Sequence, residues 1–414
     1  MRYFWPFIFI IGASITVHAQ NLQQKNDTIT ADGIIMPESM TCNIDSLLAE
    51  WHNRNYIMQD TNCVMSNANP AFSDSVYMDR LSRIPTVIEM PYNAIVRKYI
   101  DQYATRSRKT VSYMLGASNF YMPIIEEALD AYDIPQELKY LPVIESALNP
   151  SAVSRAGATG LWQFMISTGK IYGLTSNSLI DERRDPIKST WAAVRYLRDL
   201  YVIYQDWNLV IAAYNCGPGN INKAIRRANG NRDYWAIYNY LPRETRGYVP
   251  AFIAANYIMT YYCEHNICPM ETLLPANTDT VQVTKDLHFT QISDICGIST
   301  EQIRSLNPQY KRNIIPGRTR PCTLRLPRNY INTFIDSQDT IYAHRVTELF
   351  NKRTTVTAPG YAQGSSGFFY HRIRSGESLS VIAEKYGVSV RSIKRWNNMR
   401  SDRITAGKRL KIYQ

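Results

Sequence analysis

Glu145 is a carboxylate placed where an acid can be made to work. Leu138, Leu141, Glu145 and Leu148 follow at steps of three, four and three, so a helix here would turn Glu145 toward the same face as the leucines. A partly buried, unpaired carboxyl has its pKa raised by desolvation, and near neutral pH it can hold a proton and donate it. Spacing alone favours a simpler reading, a glutamate at a helix C-terminus that reaches solvent.

The residues that follow shift the balance. Asn149-Pro150 stops regular structure, because Pro150 disfavours an α conformation at Asn149. Gly157 and Gly160 then permit tight turns, and Trp162, Gln163, Phe164 and Met165 supply two aromatics, an amide and a thioether close by. Carbohydrate sites combine flat apolar surfaces with a few amides, which fits the usual apolar lining and sparse polar anchors of ligand pockets. Taken alone, Trp162 and Phe164 read as core.

Three ordered blocks, ESALNPSAVSRAGATGLWQFM at 145–165, AAYNCGPGNINKAI at 212–225 and LPRETRGYVPAFIAA at 241–255, resemble the lytic transglycosylases that share a lysozyme-like fold with goose-type lysozyme. The resemblance covers roughly residues 85 to 270 and implies a mainly α, goose-type lysozyme-like catalytic domain. It implies Glu145 as the sole catalytic acid/base. It further implies that Ser154 and Gln163 bind an N-acetyl group or sugar hydroxyls, that Met165 lines the cleft, that Tyr214 and Asn215 face the scissile bond, and that Tyr248 is at the cleft. Cys216 occupies a small-residue position of the second block.

Ordinary glycoside hydrolysis needs two carboxylates, at ~5 Å separation for retention and ~6.5 to 9.5 Å for inversion. Residues 146–180 contain no Asp or Glu, and the next candidates, Asp181, Glu182 and Asp185, lie in DERRDP, which reads as an exposed turn before a helix. A lone acid suffices if the substrate supplies the nucleophile. In murein the C6 hydroxyl of N-acetylmuramic acid can attack its own anomeric carbon, giving a 1,6-anhydro ring, and a tethered nucleophile gains from proximity. The resemblance implies this outcome, and the missing second acid is consistent with it.

Arg2 precedes an apolar run from Tyr3 to Val17, and Val17-His18-Ala19 ends it with small outer residues, as in a secretory signal cleaved before Gln20. An uncleaved anchor is the competing reading, but about 15 residues fall short of the ~20 that span a bilayer. The expectation is an exported, periplasmic enzyme with possible wall or membrane-surface association. Seven cysteines suit an oxidising compartment. The local pairs Cys42/Cys63, Cys263/Cys268 and Cys296/Cys322 are the first pairings to test, leaving Cys216 as a buried free thiol. No Cys or His pair has zinc-site spacing with a matching second pair, so neither metal nor cofactor is expected.

Composition divides the 414 residues. The expected organisation is a signal at 1–19, a polar extension at 20–82, the catalytic domain at 83–272, a degenerate module at 278–328, a linker at 329–366 and a final module at 367–414. A helix near 187–204, with Trp191, Val194, Leu197, Leu200, Tyr201 and Tyr204 as its stripe, is expected to pack against the Glu145 helix. ISDICGISTEQIRSLNPQ at 292–309 repeats as IAEKYGVSVRSIKRWNNM at 382–399, offset by 90, matching Gly297 to Gly387, Asn307 to Asn397 and Gly317 to Gly407. Each copy reads as strand, helix, helix, strand. The second copy resembles a LysM module, a small α+β (βααβ) unit that in its family binds N-acetylglucosamine-containing glycans. That resemblance implies glycan contact at Gly376, Glu377, Ser378 and Leu379. The first copy lacks the GESL turn and reads as a unit that only packs.

VTAPGYAQGSSG before the second copy has linker composition. Residues 367–414 hold 11 Lys or Arg against 3 Asp or Glu, a net +8 of the chain's +11. Such a module would be held near acidic murein peptides and membrane surfaces. Export and the LysM pattern argue against nucleic acid as partner. Three functions stay open on sequence: a lytic transglycosylase acting on peptidoglycan glycan strands, a muramidase in which Asp181 or Asp185 activates water, and a non-catalytic wall-binding protein.

Overall fold

The computed structural model describes residues 35–49, 57–59, 66, 68–272, 278–350, 368–373, 377–386, 388–399 and 401–413. The expected signal at 1–19 and Gly376 lie outside the described residues. Among the described residues no helix is long and apolar enough to cross a membrane.

Residues 74 to 260 form a helical assembly around the Tyr248–Thr260 helix, whose residues 248 to 259 are all buried. A helix apolar on every side belongs at the centre of a fold. The Ala94–Thr105, Arg108–Asp130 and Trp207–Cys216 helices surround it. The Pro186–Tyr204 helix begins as its sequence dictates: Asp185 accepts from the amides of Ile187 and Lys188, and Pro186 takes the first position, where no amide donor is needed. Val194, Leu197, Leu200 and Tyr204 are buried as expected. This helix packs chiefly on Arg108–Asp130 and Trp207–Cys216. Trp191 and Tyr201 are half-buried and line two outer cavities, of about 610 and 640 Å³ respectively, not the core.

The described part of the N-terminal extension is built into this assembly instead of standing apart. Ile57–Gln59 pairs antiparallel with Met270–Thr272. The Ser39 hydroxyl donates to the Ile144 carbonyl, the Ser107 hydroxyl to the Met40 carbonyl at 3.0 Å, and the Tyr99 hydroxyl to the Ile35 carbonyl at 3.0 Å.

Both repeat copies adopt the strand, helix, helix, strand order. The outer strands, Thr278–Val283 with Cys322–Pro327 and Phe368–Arg372 with Arg409–Tyr413, pair antiparallel. The matched asparagines do the same work in each. The Asn307 amide donates to Ile303 and Arg325 carbonyls and accepts from the Arg325 amide, while Asn397 donates to Ile393 and Lys411 carbonyls and accepts from the Lys411 amide. A buried side chain that satisfies backbone groups of both a helix and a strand fixes their registry.

The linker expectation from 329 is corrected. Arg328–Asp336 and Gln338–Ala343 are helices whose Ile331, Phe334 and Ile341 join the first module's core, an i, i+3 apolar spacing that the polar surroundings hide. Residues 351–366 lie outside the described residues. The cysteine pairings are corrected too. Cys42, Cys263, Cys296 and Cys322 are free thiols, as is Cys216, while Cys268 is disulfide-bonded. Adjacency in sequence does not predict pairing, which needs Cβ atoms facing one another.

Candidate active site

Glu145 sits on the short Leu141–Ser146 helix, which is preceded by a 3-10 turn at Gln136–Tyr140. The helix ends earlier than Pro150 alone requires. Ala147 and Leu148 both take positive φ, and their amides close onto the Val143 and Pro142 carbonyls. Leu138, Leu141 and Leu148 are fully buried, so the leucine stripe is core, but only Leu141 shares the helix with Glu145. Glu145 is half-buried.

That position changes its chemistry. Burial raises the Glu145 carboxyl to about 7, although a hydrogen bond from the Tyr248 hydroxyl to Oε1 pulls the other way. Oε2 accepts no hydrogen bond from the described residues, so it can meet an incoming oxygen. Tyr248 is itself buried, and burial beside Glu145 pushes its phenol well above the usual range, which keeps it a donor. Gly247 brings Tyr248 in, since a Cβ there would meet the Tyr99 hydroxyl at 2.0 Å. Tyr248→Phe should move the alkaline limb of the rate profile to higher pH, because the lost hydrogen bond favoured the ionised carboxyl. It should also lower kcat about tenfold, roughly one charge-assisted hydrogen bond. A pH–rate series on the variant checks both.

Of the other candidate residues, Tyr214 lies near enough for its phenol to sense the Glu145 charge. Tyr214 lies on the Trp207–Cys216 helix, and burial first and the nearby Glu145 charge second push its phenol well up. Its hydroxyl donates to the Trp162 carbonyl at 2.8 Å, and its ring packs at 5.3 Å from Tyr196 and 6.4 Å from Phe164. Asn215 is exposed, with Oδ1 accepting from the Thr245 hydroxyl at 2.9 Å. Ser154 closes the turn by accepting from the Ala158 amide at 3.1 Å, and its hydroxyl proton remains free to donate. The Gln163 amide nitrogen donates to the Gly160 and Ala152 carbonyls, leaving its Oε1 without a partner among the described residues. Met165 is half-buried at the start of Ile166–Ile171. Trp162 and Phe164 are core, as expected, with the Trp162 indole donating to Thr190 at 2.9 Å.

DERRDP is not an exposed turn. Asp181, Glu182 and Arg183 are buried, and Asp185 is spent on capping. Arg183 binds both Asp181 oxygens at 2.9 Å and donates to the carbonyls of Gly157 at 3.0 Å and Phe164 at 2.9 Å. Burial alone would raise the Asp181 and Glu182 carboxyls, but Arg183 for the first and Lys188 for the second hold them below the usual range. Clustered charges of both signs around a tight turn read as solvated in sequence, and nothing local reveals that Arg183 folds inward onto the Gly157–Phe164 turn. Among the described residues no three His, Cys, Asp or Glu cluster as a metal would need.

In the C-terminal module Ser378 is exposed and its hydroxyl accepts from Val381 at 3.3 Å. Glu377 is engaged by His371 at 2.8 Å. The Leu379 side chain is a core residue beside Ile373, Ile382 and Ile412, as the first apolar position of an amphipathic helix tends to be, so at this turn only its backbone is placed to meet a glycan.

A carboxyl raised toward neutrality beside Tyr248 and Tyr214, with Asp181, Glu182 and Asp185 already paired or capping, has the chemistry that a single-acid glycan-cleaving centre needs. The family description Transglycosylase SLT domain matches residues 122–237, Lytic transglycosylase MltD, LysM-like domain matches 277–343, and LysM domain matches 371–412. The chain is accordingly an enzyme built on a transglycosylase SLT domain followed by two LysM-type domains. It is 29% identical over 327 residues to membrane-bound lytic murein transglycosylase D of Escherichia coli (strain K12), covering 78% of this chain and 70% of that protein. It is 32% identical over 153 residues to the soluble lytic murein transglycosylase of the same strain, covering 34% of this chain and 23% of that protein. Among solved structures, the 70 kDa soluble lytic transglycosylase SLT70 from Escherichia coli aligns at 26% identity with a TM-score of 0.30, over 36% of this chain and 25% of that one.

Proposed function

We propose that this enzyme is a peptidoglycan lytic transglycosylase that cleaves the β-1,4 bond between N-acetylmuramic acid and N-acetylglucosamine with formation of 1,6-anhydromuramic acid. Glu145 protonates the leaving glycosidic oxygen, and as carboxylate it then removes the C6 hydroxyl proton while that oxygen closes onto the anomeric carbon. One proton is given and one regained, and no water enters. The observation that carries this reading is the isolation of Glu145, protonatable near pH 7, among carboxylates that are all committed elsewhere. The muramidase reading needs Asp181 or Asp185 to activate water, and their pairing and capping leave neither available.

Tyr248 tunes and orients Glu145, while Tyr214, Asn215, Ser154, Gln163 and Met165 line the subsites on either side of the bond. The terminal LysM module supplies glycan affinity through Glu377 and Ser378, and its positive charge favours acidic wall material. The apolar run at 3–17 supports export to the periplasm. Mass spectrometry of digested sacculi tests the reading, which expects anhydro ends; reducing ends from the wild type would overturn it in favour of hydrolysis.

A further inference from the structure

The first LysM-type module does not hang free of the catalytic domain. Leu179 and Ile180, from the loop before DERRDP, are buried in the module's core with Phe289, Ile315 and Leu324. The backbones join there as well: the Asp181 amide donates to the Gln309 carbonyl at 2.8 Å and the Lys311 amide to the Leu179 carbonyl at 2.7 Å. Two module cations complete the contact. Arg320 donates to Glu182 Oε1 at 2.7 Å, and Lys311 lies 3.6 Å from Asp181 Oδ2 while donating to the Asn177 carbonyl at 3.0 Å.

These are the carboxylates that orient the turn. Asp181 grips Arg183 in a two-point pair, and Arg183 holds the Gly157 and Phe164 carbonyls at the two ends of the segment that carries Gln163. Glu182 accepts from the Thr175 amide at 2.7 Å and so closes the 175–182 loop next to Arg183. A planar fork buried between two carbonyls and a carboxylate has one low-energy placement, so whatever seats Asp181 and Glu182 seats the turn.

We propose that residues 278–343 serve as a scaffold for the active site, with Arg320 and Lys311 as positioning residues that act through Asp181, Glu182 and Arg183 on the Gly157–Phe164 turn. This rests on the reading of Glu145 and its turn as the catalytic cleft. The module's role is then to set kcat, in contrast to the terminal module, whose role is affinity.

The test uses the full mature chain carrying Arg320→Ala, Lys311→Ala, the double variant and Arg320→Lys, assayed on soluble uncross-linked glycan strands. Arg320 and Lys311 are partly exposed, so their removal leaves no buried cavity. The double variant should lose roughly ten- to a hundredfold in kcat with KM within twofold, as misplacement of a catalytic segment produces. Arg320→Lys should retain most of the activity that Arg320→Ala loses, and amides from Gly157 to Phe164 should exchange faster in the double variant. Unchanged kcat, a KM-dominated effect, or a loss no larger than the unfolded fraction seen by circular dichroism would overturn the proposal. Glu145→Gln in the same assay reports separately on the acid assignment.

Discussion

Glu145→Gln should cut muropeptide release by about 10²- to 10⁴-fold, the range a positioned general acid contributes, while sacculus binding stays intact. Gln keeps the shape and still accepts from Tyr248, so what is lost is the proton. The same substitution should stabilise the protein at alkaline pH. The folded carboxyl titrates near 7 and an unfolded one near its ordinary 4.5, so the folded state prefers the proton. That preference favours the fold fully below the unfolded value and is lost as pH rises through 7, leaving the wild type to carry a disfavoured charge above it. The variant should therefore gain roughly 3 kcal/mol over wild type at pH 8 and almost nothing at pH 4. Denaturant melts at the two pH values check this, and equal differences at both would contradict the raised acid. By the same titration the wild-type rate should fall as pH rises past about 7, because the donor form disappears.

Gly160→Ala should be the most damaging change in the turn. Gly160 has φ of +91° and a Cβ there would lie 1.8 Å from the Arg183 carbonyl oxygen, a backbone atom that cannot swing away. Either Arg183 shifts, releasing the carbonyls it holds, or the turn opens. The expected cost is about 3 kcal/mol or more, with activity lost alongside, since it combines left-handed strain with overpacking. Gly157 is the control. Its φ is +87°, but nothing lies within 4 Å of its Cβ direction, so Gly157→Ala should cost only about 1 to 2 kcal/mol of backbone strain. Denaturant midpoints of the two variants isolate the close approach to Arg183, and equal losses would remove its importance.

What the chain reveals before folding divides along a physical line. Glu145, Tyr214, Asn215, Gln163 and Tyr248 stand out in the sequence because each falls in a block whose order resembles a known catalytic pattern, and the shared hydrogen-bonding role of Asn307 and Asn397 is legible because they repeat. Arg183 was not, since a run of charges looks solvated until the tertiary fold surrounds it with carbonyls. Leu379 shows the converse: a place at a turn does not decide which way a side chain points, and its apolar one, beginning a helix, goes inward. The helices after residue 328 were hidden because each offers too few apolar positions to be seen without the module they cover. The Glu145 helix itself stops two residues sooner than its proline implies, because Ala147 and Leu148 accept left-handed backbone that only the packed state can enforce.

The central claim is that the glycan supplies the nucleophile and one glutamate manages both protons. Digestion of sacculi by the wild-type enzyme in water enriched with oxygen-18, followed by mass spectrometry of the released muropeptides, tests it most directly. The account predicts anhydro products that carry no label. Labelled reducing ends would mean that water had attacked the anomeric carbon, and would contradict it.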